Sequence, residues 1–120
     1  MRGIKFRLWD NDKKIMSICQ SFSDWCYAYA QFEFDLKSNM TGYFDKCELM
    51  QFTGLKDKNG VEIFEGDIVS NEVAKWEVIF NTGCFVAKCL SFEERELHIA
   101  LRAVKEIEVI GNVFQNPELL

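Results

Sequence analysis

Five cysteines, Cys19, Cys26, Cys47, Cys84 and Cys89, and one histidine, His98, are the residue types in this 120-residue chain best suited to nucleophilic or metal chemistry. A thiol nucleophile needs a base within hydrogen-bond reach. His98 is the only histidine, and nothing in the spacing brings a cysteine beside it. Structural use of His98 is the expectation. Zinc needs three or four ligands at characteristic spacing. The segment "CFVAKC" has four residues between its cysteines and no second half, so no metal and no cofactor is expected. Cys84 and Cys89 lie among apolar neighbours and read as buried, inert thiols.

The densest turn chemistry lies in "QFTGLKDKNGVEIFEGDIV", residues 51–69. A phosphate loop would require Gly-x4-Gly-Lys-Ser/Thr opening a helix. Here Val61 and Glu62 follow Gly60, so the pattern fails. An EF-hand alignment on Gly60 puts Leu55 at the first ligand position and Gly66 at the bidentate carboxylate position, leaving too few oxygens. Asp57, Asn59 and Gly60 read instead as a hairpin turn. Glu62, Glu65, Asp67, Glu93, Glu94, Glu96, Glu106 and Glu108 supply many carboxylates. Acid–base work needs two of them in one pocket with separated pKa values, and a solvated acidic face is the simpler reading.

One constellation joins charge to an aromatic. In "IKFRLW", residues 4–9, strict alternation puts Ile4, Phe6 and Leu8 on one face and Lys5, Arg7 and Trp9 on the other. That second face has the ingredients for stacking a base or anchoring a protein, and Lys5, Arg7 and Trp9 are the candidate interaction face, although the simpler reading is that Trp9 covers the barrel end and the cations are solvated.

The scaffold holding these residues reads as all-β. The "DNDK" turn and "KIMSI" complete an N-terminal hairpin, with Asp10 to Lys13 supplying the turn. "CELMQF" is a strand, Asn59-Gly60 fits a type I′ turn, "VEIF" returns, and Gly66 with Asp67 turns the chain again. "KWEVIF" and "CFVAKC" flank an "NTG" loop in which Gly83 takes the left-handed position, with Trp76, Val78 and Phe80 on one face. "ELHIALRAVK" reads as a short strand followed by a turn or helical turn, although Leu97, Leu101 and Val104 also fit a helix, with Ser91 and Glu94 spaced as a capping box. "IEVIGNVF" is the closing strand, and Pro117, the only proline, stands in the tail. The aromatic-rich segment 20–46 reads as an insertion, with Ser23 placed to cap a short helix carrying Trp25, Tyr29 and Phe32.

Length and composition fit one compact domain or two small lobes with an ordinary core: 48% of residues are hydrophobic and eleven are Phe. An odd number of cysteines without a CxxC pair points to free thiols in a reducing compartment. No signal-peptide pattern and no apolar run of about 18 residues is present, so a cytoplasmic location without membrane spanning is expected. Net charge is −5. The first fourteen residues hold five cations against two carboxylates, +3, so the remainder carries −8. Such acidity disfavours nucleic-acid binding by the body of the chain.

"IKFRLWD", "LMQFTGLKDKNGVEIFEGDIV" and "IEVIGNVFQNPELL", in that order, resemble the YopX-like family of phage and prophage proteins over essentially the whole chain. The resemblance implies a two-part all-β build: an N-terminal β subdomain with the aromatic insertion over 1–50, and an SH3-like small barrel over 51–120. It also implies a phage or prophage accessory protein in the bacterial cytoplasm that self-associates, and it brings no catalytic motif. The expected function is a non-enzymatic interaction or self-assembly module with a phage or host protein partner, using strand edges and exposed aromatics. Single-stranded nucleic-acid binding on the Lys5, Arg7 and Trp9 face is the alternative, and an enzyme is a distant third. The acidic charge would also suit mimicry of DNA.

Overall fold

The computed structural model describes residues 5–19, 47–91 and 98–120. Among these the chain is all-β, its strands antiparallel and its helical elements confined to two 3-10 turns. One sheet is curled into a half-barrel. The chain divides into two compact units, Met1–Gln51 and Phe52–Leu120.

In the first unit, β1 (Phe6–Asp10) pairs with β2 (Ile15–Cys19) on one side and with the first half of β3 (Cys47–Lys56) on the other. Leu8 therefore faces Ser17 across one ladder and Leu49 across the other. The β1–β2 turn is built on Asp10, whose carboxylate accepts the amides of Asp12 and Lys13 at 2.8 and 2.9 Å. Lys14 closes it with φ +58° and a bond to the Asp10 carbonyl. Short polar side chains that bond their own following amides are the natural way to start such a reversal.

In the second unit, β3 continues to Lys56 and pairs with β4 (Glu62–Phe64) through a register shift between Phe52 and Lys56. Gly54 lies inside that shift with φ +86°. The Thr53 hydroxyl donates to the Ile63 carbonyl at 2.7 Å and accepts the Leu55 amide, stitching the bulge. A tight turn through Glu65 and Gly66 leads to β5 (Asp67–Ser70). There the Asp67 carboxylate accepts the Phe64 amide at 2.8 Å. β6 (Lys75–Asn81), β7 (Cys84–Cys89), β8 (His98–Ala100) and β9 (Glu108–Asn112) complete a five-stranded sheet in the order β8-β7-β6-β5-β9.

The expectation of a short strand and then a turn in "ELHIALRAVK" is met, from residue 98 onward, by β8 followed by a 3-10 turn at Leu101–Ala103. The expected helix around Ser23 and the box ending at Glu94 fall outside the described residues. Burial alternates along β6 from Lys75 to Ile79 as in a half-buried strand, whereas β7 buries both Val86 and Ala87. Trp76 faces Cys89 and Val78 faces Ala87, all buried, with Ile63, Val69, Leu101, Val104 and Ile107 completing the core. Each large apolar side chain removed from water there contributes roughly 1.5–3 kcal/mol before conformational entropy is counted.

Two turns depart from the sequence reading. Asn59 is not at positive φ; only Gly60 is, at +83°. The Gly60 amide bonds the Asp57 carbonyl, and Asp57 Oδ1 accepts the amides of Asn59 and Val61, each at 2.8 Å. The carboxylate thus holds Lys58 and Asn59 as in a type I turn, with Gly60 in the following left-handed position. The primed turn occurs instead at Thr82-Gly83, with φ +49° and +84°, directly between the paired residues Asn81 and Cys84. The β6–β7 loop is therefore two residues long rather than three.

Candidate interaction surface

The expected face of Lys5, Arg7 and Trp9 is not an open one. Trp9 retains 4% exposure and Arg7 8%, while Lys5 is half-buried. β1 is flanked on both sides, and Arg7 Nε donates to Met50 Sδ at 3.4 Å from the facing position of β3. Alternation correctly separated the two faces of β1. It carried no information about what would cover the second face.

The strongest exposed aromatic feature lies on the β6–β7 hairpin. Phe80 belongs to the same face as Trp76 and Val78, yet it is 52% exposed where those two are buried. It is the last residue of that face before the Thr82-Gly83 turn, so the strand carries it past the edge of the core. Its cross-strand partner is Phe85, with ring centroids 5.2 Å apart in an edge-to-face arrangement. Phe85 is half-buried and packs against the core cluster. One ring is anchored and holds the other at the surface, a geometry that aromatic pairs favour. Beside them the turn fixes the backbone, because both of its residues sit where two positive φ values match the strand twist. Gly83 meets no atom within 4 Å of the place a Cβ would occupy, so its requirement is conformational rather than steric.

Cys84 lies at the tip of β7, on the face opposite Phe85, and is exposed, which corrects the expectation of a buried thiol there; Cys89, five residues further along and paired with Trp76, is buried. The Cys84 thiol lies 3.6 Å from the Asn81 carbonyl. His98 is exposed on β8 rather than part of the core. Among the described residues no three His, Cys, Asp or Glu side chains come together in a metal-holding group. No helix among them is long and apolar enough to cross a membrane.

Of the predicted turn residues, Gly60, Gly66 and Gly83 carry φ of +83°, +88° and +84°. The 57–60 turn does more than reverse the chain. Its Lys58 amide bonds the Ile107 carbonyl at 3.0 Å, and Asp57 Oδ2 accepts the Val109 amide at 2.9 Å. Asn59 Nδ2 reaches Glu108 Oε1 at 3.3 Å, and Lys58 lies 4.0 Å from the same carboxylate. Burial pushes the Asp57 carboxyl upward, but bonds from Val109, Val61 and Asn59 and the Lys58 charge together hold it below the ordinary aspartate range. Nothing local in "DKNG" signals the contact with β9. Phe80 was legible as an inward residue, and its position as the last of that face before the turn was the signal that it overhangs the core.

A family model described as YopX protein matches residues 5–120. Among solved structures, the chain is similar to protein EF1440 from Enterococcus faecalis, with 28% identity and a TM-score of 0.58, covering 98% of this chain and 97% of that one. A comparison with curated proteins gives no match.

Proposed function

We propose that this chain, which belongs to the YopX protein family, is a non-enzymatic protein-binding module, a phage or prophage accessory protein acting in the bacterial cytoplasm, with Phe80 as the anchor for its partner. The observation that carries this reading is the exposed Phe80 ring braced edge-on by half-buried Phe85. Binding energy at protein interfaces concentrates in a few large side chains that fill pockets on the partner. A rigid two-residue turn lowers the ordering cost of presenting such a side chain.

Charge favours a protein partner over nucleic acid. Within Phe52–Leu120, seven Lys and Arg stand against twelve Asp and Glu, giving −5 for the unit that carries the hairpin. Counterion release from phosphates would supply little there.

The test uses wild-type protein and Phe80→Ser as paired baits in lysate from phage-infected host cells, with the captured partner then purified and titrated directly against both. This reading predicts a protein whose affinity falls at least tenfold with Phe80→Ser, the loss expected of an interface anchor. Equal affinity for both baits would remove Phe80 from the site. A strongly salt-dependent complex with single-stranded DNA, undiminished in Phe80→Ser, would overturn the protein-binding reading altogether.

A further inference from the structure

We infer that the Asp57–Gly60 turn is a guard over the outer edge of β9, and that removing it converts that edge into a pairing site for β9 of a second copy of this chain. Among the described residues β9 is the last strand of the five-stranded sheet, paired to β5 alone. An edge strand presents unpaired amides and carbonyls and is a template for adding another strand. Here the turn already takes the Val109 amide, through Asp57 Oδ2, and the carbonyl of Ile107 immediately before the strand, through the Lys58 amide. At the far end of the strand the Asn112 amide is held at 3.1 Å by the Asn116 side chain.

The guard is not a strand. Lys58 and Asn59 form a reversal, so the turn engages the edge over one short stretch and propagates no ladder. Two copies of β9 are self-complementary in the antiparallel sense, the arrangement a two-fold dimer uses. Exposed Ile110 would gain cover in such a pair. This inference is independent of the role assigned to Phe80.

Asp57→Asn isolates the contact. The amide oxygen can still accept from Asn59 and Val61, whereas its nitrogen, facing Val109, carries only hydrogens and cannot accept. Light scattering coupled to size exclusion across a concentration series, on wild type and Asp57→Asn, is the measurement. We expect higher-mass species in Asp57→Asn that wild type lacks at the same concentration. We also expect the Val109 amide to exchange hydrogen at least tenfold faster in the variant's monomer fraction.

Adding Val109→Pro should abolish the new species, since proline deletes the outward-pointing donor at a position where no ladder bond to β5 is lost. Should Asp57→Asn fail to fold, Lys58→Pro replaces it. Proline suits the second position of a type I turn and deletes the amide given to Ile107 together with the exposed Lys58 charge near Glu108. Identical mass distributions in the folded variant and wild type would overturn the inference. So would association that survives Val109→Pro.

Discussion

The Asp57 carboxylate binds the Val109 amide at 2.9 Å although the two residues are 52 positions apart, and its other oxygen simultaneously holds the Asn59 and Val61 amides. One side chain therefore shapes the β3–β4 turn and fastens that turn to the last strand. Asp57→Ala leaves three amides without their acceptor, and charge-assisted bonds of this kind are worth more than neutral ones. The expected loss is roughly 2–4 kcal/mol in urea unfolding, with unchanged strand content by circular dichroism at low denaturant.

The same carboxylate gives stability a pH dependence of defined sign. Its folded pKa lies below the ordinary aspartate value of about 3.9, so the unfolded chain takes up the proton first on acidification. The contribution is complete above roughly pH 5 and is lost as pH falls through 3.9 toward the folded value. Unfolding free energies from pH 7 to pH 2.5 should therefore drop more steeply for wild type than for Asp57→Asn. Parallel curves would contradict this assignment.

Thr82 is a β-branched residue held at φ +49°, a conformation costing such residues about 1 kcal/mol. Asparagine tolerates it and is favoured with glycine in type I′ turns. Thr82→Asn should stabilise the protein by roughly 0.5–1 kcal/mol, read as a raised denaturation midpoint with an unchanged slope.

How far these features were visible in the sequence depends on their range. Alternation marked β1 in "IKFRLW" and the shared face of Trp76, Val78 and Phe80 in β6, while the "NTG" turn marked "CFVAKC" as the returning strand β7. Asn59-Gly60 carries the strongest local I′ signature in the chain, but the carboxylate two residues earlier imposed a different turn, and Thr82-Gly83 took the primed geometry. The burial of Trp9 fits the reading in which it covers the barrel end, whereas that of Arg7 was not legible, since the Arg7–Met50 contact spans 43 positions. The Asp57–Val109 bond was hidden for the same reason. A sequence shows which faces a strand has, not which tertiary partner covers each.

Gly111 is packed closely enough to forbid a side chain. A Cβ there would lie 2.6 Å from Asn116 Oδ1, the atom that accepts the Asn112 amide. Displacing Asn116 would free that amide, so Gly111→Ala should cost roughly 1–3 kcal/mol. Asn116→Ala in the same background should recover part of the loss in thermal unfolding, because it removes the clash but not the orphaned amide.

The Trp76 indole N–H is buried in the core and finds no hydrogen-bond partner among the described residues. A buried unsatisfied donor costs about 1–3 kcal/mol, an amount comparable to the packing lost when indole becomes phenyl. Trp76→Phe is therefore expected to change stability by less than about 1.5 kcal/mol, well short of the 3–5 kcal/mol typical of removing a fully satisfied core tryptophan to alanine. Chemical denaturation measures the difference.

The central claim, that Phe80 meets a partner, is tested most directly by placing a photoreactive phenylalanine analogue at position 80 and, as control, at Val73, which is more exposed but stands on a different loop. After irradiation in phage-infected cells, a discrete crosslinked protein at position 80 and not at position 73 is the predicted result. The same adducts from both positions, or none from position 80, would contradict the account.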